Sequence, residues 1–127
     1  MSTLAVGTIK SVSSAGPVFQ NTSGTEMGTL CRAWVNFNGE GTVAIRDSFN
    51  VSSITDVNTG TYTANFATAF SDNDYAAVIS GGHETNSSSP RGFETVYNYQ
   101  TSSVKFDFRD ESGNEDDPEV ACLIVMR

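Results

Sequence analysis

The segment from Cys31 to Thr55, CRAWVNFNGEGTVAIRDSFNVSSIT, restricts the fold more than any other part of the chain. Ala33, Val35 and Phe37 alternate with Trp34 and Asn36, so an extended backbone here has one apolar face and one mixed face. Asn38-Gly39-Glu40-Gly41 follows, and its two glycines offer the positive φ angles that a tight hairpin needs. The alternation resumes at Val43 and Ile45, and again at Phe49 and Val51. A period of two on both sides of a turn predicts β-structure and leaves no amphipathic helix to be drawn.

The same pattern continues to the C-terminus. Asp56 to Gly60 is a turn cluster. After it, Tyr62, Ala64, Phe66, Thr68 and Phe70 alternate with Thr61, Thr63, Asn65, Ala67 and Ala69, so one of these faces must pack on something apolar. Residues 71–74 turn the chain again, and Tyr75 to Ser80 is apolar on both faces, which predicts a central strand. Residues 81–92 form the longest predicted loop. Phe93 to Tyr99 and Val104 to Arg109 pair as strands, with Val104, Phe106 and Phe108 inward. The acidic run from Asp110 to Glu119 reads as a solvated loop. Val120 to Met126 is apolar on both faces, and such a strand belongs in the middle of a sheet or at a subunit contact.

Roughly eight strands at intervals of about ten residues predict an all-β fold, an antiparallel β-sandwich or jelly-roll-like architecture over residues 31–127. Residues 1–30 read differently. Val6, Ile9, Val12, Val18 and Phe19 are scattered among Ser, Thr and Gly, with a break at Gly16-Pro17. They predict an extended arm with one short strand around Val6 to Val12, suited to gripping a neighbouring subunit. A partly ordered terminus is the plainer alternative.

Composition narrows the function classes. The chain has 127 residues, enough for one domain with a real core, and 38% are hydrophobic. Its net charge of −8 repels phosphate backbones and anionic lipid, so no nucleic-acid partner and no membrane insertion are expected. The opening MSTLAVGTIK lacks the basic and apolar regions of a signal peptide, so synthesis in a cytoplasm is expected. Cys31 and Cys122 then read as unpaired small hydrophobes, with a disulfide as the other option. Trp34 is expected to be shielded, in the core or at a subunit contact.

Catalytic readings find little purchase. His83 stands alone between Gly82 and Glu84, which excludes multi-histidine metal sites, and no nucleophile elbow surrounds the serines near it. The cysteines lack metal-site spacing, and no glycine-rich phosphate loop opens a helix. The acids of residues 110–119 are oxygen donors that calcium accepts, but they lack the EF-hand spacing, so no metal site is assigned. No enzymatic activity, cofactor or catalytic residue is expected. Surface recognition is the remaining chemistry: the 81–92 loop carries His83, Glu84, Asn86 and Arg91, polar side chains suited to sugar hydroxyls.

Two segments carry a resemblance. CRAWVNFNGEGTVAIRDSFNVSSITD and GTYTANFATAFSDNDYAAV resemble a β-rich module of virion proteins from tailed bacteriophages, of the type common in phages of marine and cyanobacterial hosts. The likeness covers residues 31–80 closely and the ending VACLIVMR more loosely. Relatives commonly carry threonine where Glu40 stands and a Met-Pro pair near Phe70-Ser71; both positions fall in turns or strand ends. The resemblance implies a structural protein on the virion surface, assembled in the host cytoplasm. Its expected partners are two further copies of itself, other virion proteins and, in a receptor-binding role, a host surface glycan. A tail-fibre or receptor-binding component is the first expectation, and a capsid decoration protein the alternative.

Overall fold

Every regular element in the computed structural model is a β-strand; it describes residues 5–10, 17–28, 30–83 and 91–127. The chain divides into two compact units, Met1–Leu30 and Cys31–Arg127.

The first unit holds a short antiparallel hairpin of β1 (Phe19–Gln20) and β2 (Glu26–Gly28). Asn21 closes its turn by accepting the Ser23 and Thr25 N–H groups, each at 2.9 Å, while Gly24 takes a φ of 77°. An asparagine that satisfies the backbone two residues on is a strong turn former. The strand expected around Val6 to Val12 does not form over residues 5–10, and Val12 lies outside the described residues. That stretch carries no such turn residue to fold it back on a partner.

Among the described residues the second unit contains eight strands: β3 (Cys31–Asn38), β4 (Ala44–Phe49), β5 (Val51–Asn58), β6 (Thr61–Phe66), β7 (Ala76–Gly82), β8 (Arg91–Tyr97), β9 (Ser103–Asp110) and β10 (Val120–Met126). They form two four-stranded sheets, ordered β4-β3-β10-β7 and β5-β6-β9-β8, with antiparallel neighbours throughout. The fold is thus the all-β antiparallel sandwich that the alternation predicts.

The core follows from the pleat. Ala33, Val35 and Phe37 of β3 and Ala121, Leu123 and Val125 of β10 are all buried, opposite Tyr62, Ala64 and Phe66 of β6 and Val104, Phe106 and Phe108 of β9. Phe37 and Tyr62 meet edge to face with ring centroids 5.1 Å apart, and Phe106 and Phe108 complete this aromatic centre. A second group, Phe66, Phe70 and Tyr75, closes one end at centroid separations of 4.8–5.8 Å.

Three local readings are corrected by the tertiary arrangement. Of the two hairpin glycines, only Gly41 has a positive φ, 68°; a Cβ on Gly39 would stand 2.6 Å from the Tyr62 hydroxyl, so Gly39 is small because the core approaches it. Tyr75 to Ser80 is not central: β7 is an edge strand, and its second apolar face lies open, with Val78 61% exposed. β10, expected in the middle of a sheet or at a subunit contact, does lie inside its sheet, between β3 and β7. Finally, the acidic run is not simply solvated. Pro118 is fully buried, and Asp117 Oδ1 accepts both the Tyr62 hydroxyl at 2.5 Å and the Gly60 N–H at 2.6 Å.

Candidate functional site

Alternation buries one face of each strand and presents the other, so the outer face of the β4-β3-β10-β7 sheet is written by the remaining residues. In β10 these are Val120, Cys122, Ile124 and Met126. Register places Ile124 beside Trp34 on one side and Val78 on the other, and Trp34 beside Phe49. Phe49, Trp34, Ile124 and Val78 therefore form one row across all four strands, roughly 14 Å long at ordinary strand spacing. Phe49 is 55% exposed and Ile124 45%. Trp34 is half-buried, and so it belongs to this outer row and not to the core.

The next row is Asp47, Asn36, Cys122 and Ser80. Asn36 Nδ2 donates weakly to Cys122 Sγ at 3.5 Å, and the Arg46 guanidinium reaches Asn36 Oδ1 and the Glu119 carbonyl. Asp47 of β4 is exposed at one end of this row, whereas β3, β10 and β7 contain no acidic residue. Such a face differs from the ordinary polar outside of an antiparallel sheet, where alternation runs apolar-in and polar-out. Contiguous exposed apolar rows of this kind mark association surfaces.

Both cysteines are free, as expected, although half-buried and not fully enclosed. Cys31 Sγ donates to the Ala33 carbonyl at 3.3 Å. Burial pushes the Cys122 thiol above its ordinary range, partly offset by the positive charge of Arg46. A thiol held protonated is a poor nucleophile.

The polar residues expected to contact sugars flank the connection between β7 and β8. His83 follows β7, with Nδ1 3.7 Å from Glu119 Oε2. Arg91 opens β8 opposite Asp110, and its side chain, like the whole of Glu84 and Asn86, lies outside the described residues. His83 is therefore the one of the four whose side-chain contacts can be stated. Among the described residues no group of three His, Cys, Asp or Glu side chains is arranged to hold a metal. Asp110 instead closes a turn: its carboxylate accepts the Asn114 side chain and the Ser112 and Asn114 N–H groups, and these bonds hold its pKa below the usual carboxylate value.

A second feature lies where β4 leaves its sheet. Asn50 has a φ of 55°, a left-handed conformation that asparagine tolerates, and the chain crosses there to β5 in the other sheet. Its amide group donates to the Arg32 and Thr68 carbonyls, each at 3.1 Å, and accepts the Thr68 N–H at 2.7 Å. A groove of about 390 Å³ opens beside this junction, lined by Arg32, Phe49, Asn50 and residues 67–70. Sequence reasoning missed both the row and the groove. The excess of apolar residues on two faces of β7 and β10 was the visible signal for the row; the groove left none, because it joins segments about 35 positions apart. No family model, no curated protein and no solved structure matches the chain.

Proposed function

We propose that this chain is a structural protein of a phage virion surface, of the tail-fibre or receptor-binding kind, working as a homotrimer. Its subunits pack through the outer face of the β4-β3-β10-β7 sheet. The observation that carries the assembly reading is the exposed row of Phe49, Trp34, Ile124 and Val78. Full burial of one such side chain contributes about 1.5–3 kcal/mol, so a row of four supplies a strong drive to association. A second copy is the fitting occupant because each chain carries a charge of −8. Two such surfaces repel wherever carboxylates face each other, and least where β3, β10 and β7 present none. The virion setting rests on the resemblance of residues 31–80 to tailed-phage modules.

Light scattering of the purified protein tests the assembly. A mass near three times 13.6 kDa is expected, and Ile124→Asp is expected to give monomers with an unchanged β-sheet circular dichroism spectrum. A monomeric wild-type protein at micromolar concentration would overturn it. A second reading, a capsid decoration protein, is favoured by the separate unit Met1–Leu30, whose Val18, Phe19 and Met27 are exposed and suited to gripping a neighbour. Immunogold labelling of the particle decides between tail and head. In the receptor-binding reading, the β7–β8 connection with His83, Glu84, Asn86 and Arg91 faces a host glycan.

A further inference from the structure

The arginines of the second unit are not treated alike. Arg46 is held by Asn36 and the Glu119 carbonyl, Arg109 by Asp107 and Glu115, and Arg127 by Asp72 and the Asp74 carbonyl. The Arg32 guanidinium has no such partner among the described residues, although the chain carries 15 acids against 7 bases. It is also half-buried. In a chain so rich in acids, an arginine left without a protein anion is available to an outside one.

Its surroundings are built rather than loose. Asn50 uses its amide group to tie the Arg32 carbonyl to residue 68, so both walls of the groove are held by one side chain in a left-handed backbone conformation. Non-glycine residues held in that region persist where surrounding contacts over-determine them, and they gather at binding sites. The exposed Phe49 also lines the groove, together with Ala67, Thr68, Ala69 and Phe70. A cation with a planar fork beside an exposed aromatic ring suits an amphipathic acid.

We propose that this groove binds a carboxylate-bearing ligand, its charged end on the Arg32 guanidinium and its apolar body along Phe49 and residues 67–69. A planar guanidinium matches a carboxylate with two parallel hydrogen bonds, which lysine does not reproduce. Acidic sugars and peptide C-termini share this chemistry. The groove does not depend on the assembly reading, although Phe49 belongs to both surfaces.

Titration of the ¹⁵N-labelled full chain with two probe pairs tests the proposal by NMR. Sodium glucuronate is compared with glucose, and acetyl-Ala-Ala with its C-terminal amide. Saturable shifts at the Arg32 side chain and the Thr68 and Ala69 amides are expected with at least one carboxylate and not with its neutral counterpart; the better probe identifies the source. Arg32→Gln is expected to weaken binding at least tenfold, and Arg32→Lys to weaken it less. Phe49→Ala should weaken it while leaving the Arg32 contact detectable. The same titration on Ile124→Asp separates occlusion by assembly from absence of a site: binding by either protein supports the groove. No shift with either carboxylate in both proteins, or equal binding by Arg32→Gln, overturns it.

Discussion

Replacing Tyr62 with Phe isolates one hydroxyl that joins the sandwich core to the acidic segment before β10. The ring is fully buried between Phe37, Phe106 and Phe108, so the substitution leaves packing intact. What is lost is the bond to Asp117 Oδ1 at 2.5 Å, with the Gly39 carbonyl 3.1 Å away. A hydrogen bond to a charged acceptor contributes about 1.5–3 kcal/mol net. Asp117 keeps its bond from the Gly60 N–H at 2.6 Å and is half-buried, so water restores part of its solvation. The Gly39 carbonyl stays beside an apolar ring. The expected loss is about 2 kcal/mol, which lowers Tm by roughly 8–16 °C for a domain of this size. Urea unfolding followed by Trp34 fluorescence reads it, with an unchanged m-value. A double-mutant cycle with Asp117→Ala should show a coupling of about 1 kcal/mol or more. A Tyr62→Phe loss below about 0.5 kcal/mol, or additive effects in the cycle, would refute the view that this bond anchors the segment.

Two further outcomes follow from the packing of the sandwich. Burial pushes the Tyr75 phenol up to about 12, while its hydroxyl donates to the Gln100 and Ser103 carbonyls. The unfolded chain ionises this group near pH 10 and the folded one near 12, so the unfolded state binds fewer protons in between and stability falls across that window; absorbance titration at 295 nm should show a late-titrating component that is lost in Tyr75→Phe. Gly60→Ala should destabilise by more than about 2 kcal/mol, because φ is +68° and the new Cβ would stand 2.5 Å from the Phe108 carbonyl oxygen and 2.7 Å from the Asp116 nitrogen; thermal unfolding within 2 °C of wild type would contradict this.

The proposed virion setting and the exposed row bear on separate questions. The first concerns where the protein works, the second how copies meet, and each has its own experiment. Light scattering that finds a trimer leaves the head-or-tail question to labelling. Labelling that finds the protein on a particle leaves open which face makes the contact until Ile124→Asp is measured.

Within residues 31–127, sequence alone placed most of the strands and their apolar faces. Ala33, Val35 and Phe37, Tyr62, Ala64 and Phe66, and Val104, Phe106 and Phe108 are each assigned by a period of two, which is a property of neighbours in the chain. It also showed that Val120 to Met126 carries more apolar surface than one face can use. Strand order was beyond it: β10 and β7 look alike by pattern, yet the first is central and the second an edge, since placement depends on partners 40 to 90 positions away. The role of Gly39 was likewise hidden, because its constraint is the Tyr62 hydroxyl arriving from another sheet. Asp117 reads as one more surface acid until the same hydroxyl meets it. The Arg32 groove exists only because the left-handed Asn50 turns β4 into β5 and brings residue 68 beside Arg32. Local alternation selects which side of a strand is apolar; only the closing of two sheets decides which apolar sides find each other and which remain in water.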